Sequence, residues 1–312
     1  MLLVIGALGY LARVFMERQE EIARISRSVN WVIVAASFVL LVLAWLLLAA
    51  GWHLVLRLLG QTRPPLACMR VFVVAQLGKY LPGNVWHYVG RVYLSQRLEV
   101  GARDAVVGLY VETLLTVAGP LIVVLLTLAG RSDFPLRGRL PIAGSLLALT
   151  LMMLHPGVLR YLLILLRQHE LAERTTYRPA EVYRLLPLYV GGWGMIGAAF
   201  YLLVAAFGGP GPGWALPVIG AWSAAFILGL VTPIAPGGLG VREGLLYLLL
   251  TPLTGAPVAV LASLASRAWF ILAEVTSVLV VVPMAWIREL EPRGEGRPDP
   301  PAGPTASGRH SG

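Results

Sequence analysis

The sequence has little charge, one cysteine and one lysine. Only 13% of its 312 residues are charged, about half the share found in an ordinary soluble domain. The single cysteine, Cys68, excludes an intrachain disulfide and a cysteine-rich metal site. Lys79 is the only lysine, so arginine carries the net charge of +9. A large hydrated surface of the kind that soluble domains present is therefore excluded.

Common catalytic motifs are also missing. The patterns HExxH, GxxxxGK[ST] and GxSxG, which serve zinc hydrolysis, phosphate binding and serine nucleophiles, do not occur. We therefore expect a protein that is not an enzyme and that uses no cofactor or metal. The arginines lie in short loops between apolar stretches, which is typical of membrane proteins. No basic face of a soluble fold indicates nucleic acid binding.

Long apolar stretches dominate the sequence. About 20 apolar residues cross a bilayer as a helix, and a backbone in lipid must satisfy its own hydrogen bonds. The apolar segments cover residues 1–15, 30–58, 66–97, 104–130, 140–166, 183–207, 214–251 and 256–287. We predict an all-α polytopic membrane protein whose single domain, 1–290, begins with a short membrane helix rather than a signal peptide. A disordered tail, 291–312, follows it.

Proline and glycine interrupt two of these segments. The first break lies at residues 82–84 and the second between Pro233 and Gly240. Paired breaks in two halves of a chain point to a transporter binding site. The order helix, helix, broken segment, helix occurs in residues 1–135 and again in 136–290. This order predicts an inverted repeat with about six full crossings and two re-entrant segments, and broken segments that cross fully are the alternative.

The arginines and aromatic residues place this topology in a membrane. Fourteen loop and terminal arginines fall on one side and seven on the other. The positive-inside bias puts the richer side, with the C-terminus, in the cytoplasm. The nine tryptophans and eleven tyrosines are expected mostly at the membrane interfaces.

Ionisable residues inside membrane segments are costly and usually functional. In the first break Lys79 ends one half-helix and Asn84 can cap the next. His87 and Arg91 then lie one turn apart on the same face. A helix N-terminus offers free N–H groups to an anion such as a phosphate. The structural alternative is that Lys79 and Arg91 extend to the interface.

The second break combines glycines with an arginine. Gly237, Gly238 and Gly240 leave main-chain amides open at the start of a helix, and Arg242 follows at once. This pattern predicts a site for a headgroup phosphate, and a tight turn is the alternative. The predicted headgroup-binding residues are Lys79, Asn84, His87, Arg91, Gly237, Gly238, Gly240 and Arg242.

Four further ionisable residues are predicted to balance these charges: Glu112, Glu243, Arg267 and Glu274. Arg267 and Glu274 are seven residues apart, which places them on one face of the last helix. Glu112 can pair with an arginine of a broken segment. Internal ion pairs that fix helix packing are the structural alternative for these residues.

Three stretches carry a family resemblance. GKYLPGNVWHYVGR from residue 78, YVETL around Glu112 and PIAPGGLGVREG from residue 233 resemble the lysylphosphatidylglycerol synthase transmembrane region, also called the flippase-like domain family. The resemblance covers about residues 1–290. It implies a bacterial inner-membrane protein that moves a lipid or a lipid-linked headgroup between leaflets. Longer family members add a soluble aminoacyltransferase domain, to which no part of this sequence corresponds, so synthase activity is not expected.

The predicted function is translocation of an anionic phospholipid or lipid-linked headgroup for cell-envelope biogenesis, with membrane lipids as partners. One alternative is a non-transporting membrane partner of an envelope glycosyltransferase or lipid synthase. The other is a membrane-embedded transferase that uses a lipid-linked donor, with Glu112 or His87 as the base.

Overall fold

A computed structural model of the chain describes residues 2–81, 85–128, 137–165, 177–231 and 238–283. Asn84 and Gly237, two of the predicted site residues, lie outside these ranges, as does the predicted tail. Residues 1–281 form one compact unit, and residues 282–312 form a second, of which only 282 and 283 are described.

The regular elements of the described residues are helices. The α-helices are α1 Leu2–Glu17, α2 Gln19–Arg27, α3 Trp31–Leu58, α4 Pro65–Gln76, α5 Trp86–Gln96, α6 Ala102–Leu128, α7 Leu140–Met153, α8 Pro156–Leu165, α9 Pro179–Tyr183, α10 Leu186–Ala206, α11 Ala215–Val231, α12 Val241–Thr254 and α13 Ala256–Val281. Single 3-10 turns cover Leu77–Tyr80, Arg137–Arg139 and Pro212–Trp214.

Several of these helices are long and apolar enough to cross a membrane. Within the described ranges they are Trp31–Leu58, Ala102–Leu128, Pro179–Ala206, Pro212–Leu230 and Ala256–Val281. The pair α7 and α8 adds a sixth span when it is taken as one bent segment. The prediction of an all-α polytopic membrane protein is confirmed, and the inverted repeat stays a prediction.

The segment 140–166, predicted as one crossing, is bent. Its two helices, α7 and α8, meet at an angle of 75°. Pro156 begins α8 and has no N–H group with which to continue α7. The Nδ1 atom of His155 accepts a hydrogen bond of 3.1 Å from the N–H of Gly157, so the imidazole caps the start of α8. The bend therefore has a local chemical cause that the apolar pattern conceals.

Helices end and restart on either side of both predicted breaks. In the first broken segment α4 has 12 residues and α5 has 11, whereas α11 and α12 in the second have 17 and 14. At 1.5 Å per residue, α4 is roughly 18 Å long and α11 roughly 25 Å. The two broken segments therefore match in order but not in length.

Small residues and hydrogen bonds bring the long helices together. A Cβ atom at Gly192 of α10 would lie only 2.6 Å from Cδ2 of Leu48 in α3. On the same pair of helices, the hydroxyl of Ser37 donates a 2.6 Å hydrogen bond to the carbonyl of Ala199. Close approach and interhelical hydrogen bonds stabilise helix pairs where the hydrophobic effect is weak, as it is in lipid.

Most tryptophans of the described residues are buried inside the protein, and their expected position at the membrane interfaces stays a prediction. Five of the nine tryptophans are buried inside the protein. They are Trp45, Trp52, Trp193, Trp222 and Trp269. Three of them have a cationic side chain over the ring face. An aromatic ring that packs against a buried cation therefore has a use inside a helix bundle that the sequence analysis did not consider.

Candidate functional site

A cavity of about 140 Å³ lies where residues from the two breaks meet. The described site residues that line it are Lys79, His87, Arg91, Glu112, Gly238, Arg242 and Arg267. Glu243 and Glu274 do not line the cavity, but each forms an ion pair with basic residues that do. The structure thus brings predicted residues from sequence positions 79–112 and 238–274 into one cluster.

Arg91 has partners from two neighbouring helices. It projects from α5, and its Nη1 atom lies 2.9 Å from Oε2 of Glu112 in α6. Its Nη2 atom donates a 2.9 Å hydrogen bond to Oε1 of Gln76 in α4. The guanidinium also lies 4.1 Å from the ring centre of Phe72, and both charged side chains are buried. Arg91 is therefore held firmly in place by the first half of the chain.

Lys79 pairs with a residue from the opposite half. Its ammonium group forms an ion pair with Oε1 of Glu274 in α13, 195 residues along the chain. The hydroxyl of Tyr80 donates a 2.5 Å hydrogen bond to the other carboxylate oxygen, Oε2. The Glu274 carboxylate thus accepts from two adjacent residues of the 3-10 turn that precedes the first break. This contact ties the first break to the last helix.

Arg242 is the least paired of the buried arginines that line the cavity. Its Nη2 atom lies 3.5 Å from Oε1 of Glu243, and Nη1 of Arg267 lies 3.7 Å from the same oxygen. The other Glu243 oxygen accepts a 2.8 Å hydrogen bond from the N–H of Gly240. Glu243 therefore caps the start of α12 and is shared between two arginines. The Gly240 amide, predicted to bind a headgroup, is occupied by this cap.

Several buried hydrogen-bond donors around the cavity lack a partner among the described residues. They are Nε of Arg91, Nε of Arg242, and the indole N–H groups of Trp45 and Trp193. Buried polar groups are nearly always hydrogen-bonded in native proteins, so such a group calls for an explanation. Among the described residues, four side chains with a positive charge line the space, compared with one acidic side chain. Unused donors and excess positive charge together are suited to an anionic ligand.

Aromatic rings that the sequence analysis missed surround the cations. The Nζ atom of Lys79 lies 5.3 Å from the ring centre of Trp45 and 5.0 Å from that of Phe270. The guanidinium carbon of Arg242 lies 5.5 Å from the centre of Phe270 and 5.1 Å from that of Trp222. Phe270 thus contacts cations from both breaks. Ring faces attract cations more strongly where water is excluded.

Two polar residues of the site were also missed. Gln76 holds Arg91, and the hydroxyl of Thr116 donates a 3.0 Å hydrogen bond to Oε1 of Glu112. Both carried a usable signal. Gln76 is a polar residue in an otherwise apolar run, VFVVAQLG, and Thr116 lies one turn after Glu112 on the same helix face.

Each of the two broken segments has a glycine at a point where two main chains come close together. A Cβ atom at Gly78 would lie 2.8 Å from the main-chain nitrogen of His87, at the start of α5. Gly238 has a φ of +70°, and a Cβ there would lie 3.0 Å from the Cα atom of Gly229 in α11. Glycine tolerates both the left-handed backbone and the contact. The half-helices around each break therefore approach more closely than larger residues would allow.

In the described parts of the chain, no group of three or more His, Cys, Asp and Glu side chains is placed to hold a metal ion.

The family model described as the lysylphosphatidylglycerol synthase TM region matches residues 1–276. No curated protein and no solved structure matches the chain.

Proposed function

Because this chain belongs to the lysylphosphatidylglycerol synthase transmembrane-region family, we propose that it is a flippase-like protein. In this proposal it carries the anionic headgroup of a phospholipid, or a lipid-linked headgroup, between the leaflets of the bacterial inner membrane. Its C-terminus is cytoplasmic, and it acts without catalysing a reaction. Support comes from the positive cavity between the two breaks, which an anionic group fits.

The observation that carries the proposal is the set of unpaired donors around Arg242. A buried arginine is costly unless it is paired, and here Nε of Arg242 has no partner within the described residues. A phosphate accepts hydrogen bonds from a guanidinium in a two-point arrangement. A bound headgroup would therefore satisfy donors that the protein leaves open.

The carboxylates of the site allow the ligand to come and go. Without ligand, Glu243 partly balances Arg242 from 3.5 Å, which is longer than a good hydrogen bond. When a phosphate binds, Glu243 keeps its contacts with Arg267 and the Gly240 amide. Arg242 can therefore change partners without leaving a bare buried carboxylate. The hydrocarbon chains stay in apolar surroundings while the headgroup moves through the polar space.

Leaflet transfer in liposomes tests this function. The purified chain is reconstituted with fluorescent phosphatidylglycerol, phosphatidylcholine or polyprenyl phosphate, and transfer is compared with protein-free vesicles. We expect faster transfer of the anionic lipids and at least a tenfold loss in Arg242→Ala. Arg57→Ala is the matched control, because Arg57 is an exposed arginine at the end of α3, and its transfer rate should equal that of the wild type.

Two results would count against the proposal. Equal transfer by folded Arg242→Ala and wild type would remove the cavity from the transport path. No transfer of any lipid by folded protein would favour a non-transporting partner of a glycosyltransferase or a lipid-linked transferase. Copurification and turnover of a labelled lipid-linked sugar would separate those two.

A further inference from the structure

A second concavity opens between α5 and α6. It has a volume of about 780 Å³ and is lined mainly by apolar side chains, among them Val89, Val106, Leu109 and Leu114. Among the residues that the structure describes, none that lines it is charged. Val89 and Val106 are each about half exposed on the outer surface of the helices. We call this concavity the α5–α6 groove.

The groove and the charged cavity share two lining residues. Tyr88 of α5 and Thr113 of α6 line both spaces. Arg91 and Glu112, whose ion pair lines the cavity, come from the same two helices. The α5–α6 pair therefore presents its charges on one side and its apolar groove on the other, with Tyr88 and Thr113 at the junction.

We propose that the α5–α6 groove holds a hydrocarbon chain of the lipid whose anionic headgroup occupies the cavity, an inference that rests on the proposed function. A phosphate and its hydrocarbon chain are covalently joined, so one lipid needs a polar and an apolar space side by side. The shared residues Tyr88 and Thr113 provide this adjacency. A hydrocarbon chain in the groove would remain in an apolar environment while the phosphate contacts the cations of the neighbouring cavity.

The groove positions the lipid more than it tightens binding. A hydrocarbon chain gains little on moving from lipid to a protein groove, because both surroundings are apolar. Filling the groove should therefore slow transfer several-fold without preventing a soluble headgroup from binding. This difference separates the role of the groove from that of the cavity.

Photo-crosslinking of wild-type protein tests the position directly. The full chain is placed in vesicles that contain phosphatidylglycerol with a diazirine in one acyl chain. We expect more crosslinks on the α5–α6 groove than around Leu126, which is 70% exposed near the other end of α6. The excess should disappear in Arg242→Ala. Labelling that is uniform, or that does not depend on Arg242, would overturn the inference.

Groove-filling variants provide a second test. Val106→Trp and Val89→Trp fill the groove from opposite walls, and Leu126→Trp is the control on the same helix as Val106. We expect at least threefold slower phosphatidylglycerol transfer for the first two and no change for the third. Equal effects at all three positions, or none at any, would overturn the groove assignment.

The same vesicles separate the two proposals. One outcome is that transfer depends on Arg242, but crosslinks are not enriched at the groove and the groove-filling variants transfer lipid at the wild-type rate. The proposed function then stands and the groove inference fails. If transfer does not depend on Arg242, the proposed function fails and the inference fails with it. Protection of the groove crosslinks by a partner protein, in the absence of transfer, would also overturn the assignment to a lipid chain.

Discussion

In the first half of the chain, Arg91 is fixed by Glu112 and Gln76, which reach it from two separate helices. In the second half, the ion-pair contact of Arg242 is looser, because its Nη2 atom lies 3.5 Å from Oε1 of the neighbouring residue Glu243. Both arginines line the same cavity and both are buried. The difference suggests that Arg91 shapes the site whereas Arg242 is available to a ligand.

The two breaks differ in how they are joined to the rest of the protein. The first break is tied to α13 through the contacts of Lys79 and Tyr80 with Glu274. At the second break, Glu243 caps Gly240 within its own helix start, and its contact with Arg267 of α13 is longer, at 3.7 Å. A closely tied half next to a more loosely tied half is an arrangement in which one side can respond to a ligand while the other keeps its shape.

The largest effect should come from breaking the Arg91–Glu112 pair. Removal of one partner from a buried ion pair costs about 3–5 kcal/mol. Glu112→Ala should therefore lower the thermal unfolding midpoint in detergent more than any other single change discussed here. The double variant Arg91→Met with Glu112→Leu should recover most of the loss. A Glu112→Ala protein as stable as the wild type would show that Arg91 is not held more firmly than Arg242.

The glycines of the two breaks should give the next largest effects. Gly78→Ala and Gly238→Ala should each cost about 1–3 kcal/mol, because a Cβ would overpack against the main chain of a neighbouring half-helix. Gly191→Ala is the matched control, since no atom lies within 4 Å of the added Cβ. Unfolding midpoints of the three purified variants check this. An unchanged unfolding midpoint for either the Gly78→Ala or the Gly238→Ala protein would mean that the half-helices around that glycine can move apart at little cost.

The smallest effect should come from Phe270, whose ring contacts cations of both breaks. Phe270→Leu keeps an apolar side chain but removes the ring face, at a cost of about 0.5–1 kcal/mol for each cation, because phenylalanine is a weaker cation partner than tryptophan and the two cations lie 5.0 and 5.5 Å from its ring centre. We expect a two- to fivefold loss in anionic lipid transfer with little change in the unfolding midpoint. The control is Phe38→Leu, a phenylalanine on a different helix, α3, which should leave transfer unchanged. Equal losses in both variants would show that Phe270 has no special role.

The sequence identifies the charged residues of the site better than their partners. Lys79, Arg91, Glu112 and Arg242 stand out because ionisable groups are rare in apolar segments. The pairing of Lys79 with Glu274 cannot be predicted in the same way, since helix periodicity says nothing about contacts 195 residues apart. Phe270 is hidden for a different reason, because aromatic residues are common throughout these helices.

The fold shows the same division. Segment length and apolarity predict the membrane helices, and proline with glycine predicts where two of them break. The 75° bend between α7 and α8 was missed because the single His155-Pro156-Gly157 stretch lies inside a long apolar segment. Its effect depends on the cap formed by His155 and Gly157, a local hydrogen bond that hydropathy does not detect.

The most direct test of the account measures stability and transfer on the same Arg242→Ala preparation. Because Glu243 keeps Arg267 and the Gly240 amide as partners, the variant should unfold within a few degrees of the wild type, far closer than Glu112→Ala. It should nevertheless lose at least tenfold in phosphatidylglycerol transfer. A folded Arg242→Ala protein that transfers phosphatidylglycerol at the wild-type rate would contradict the assignment of Arg242 to the ligand.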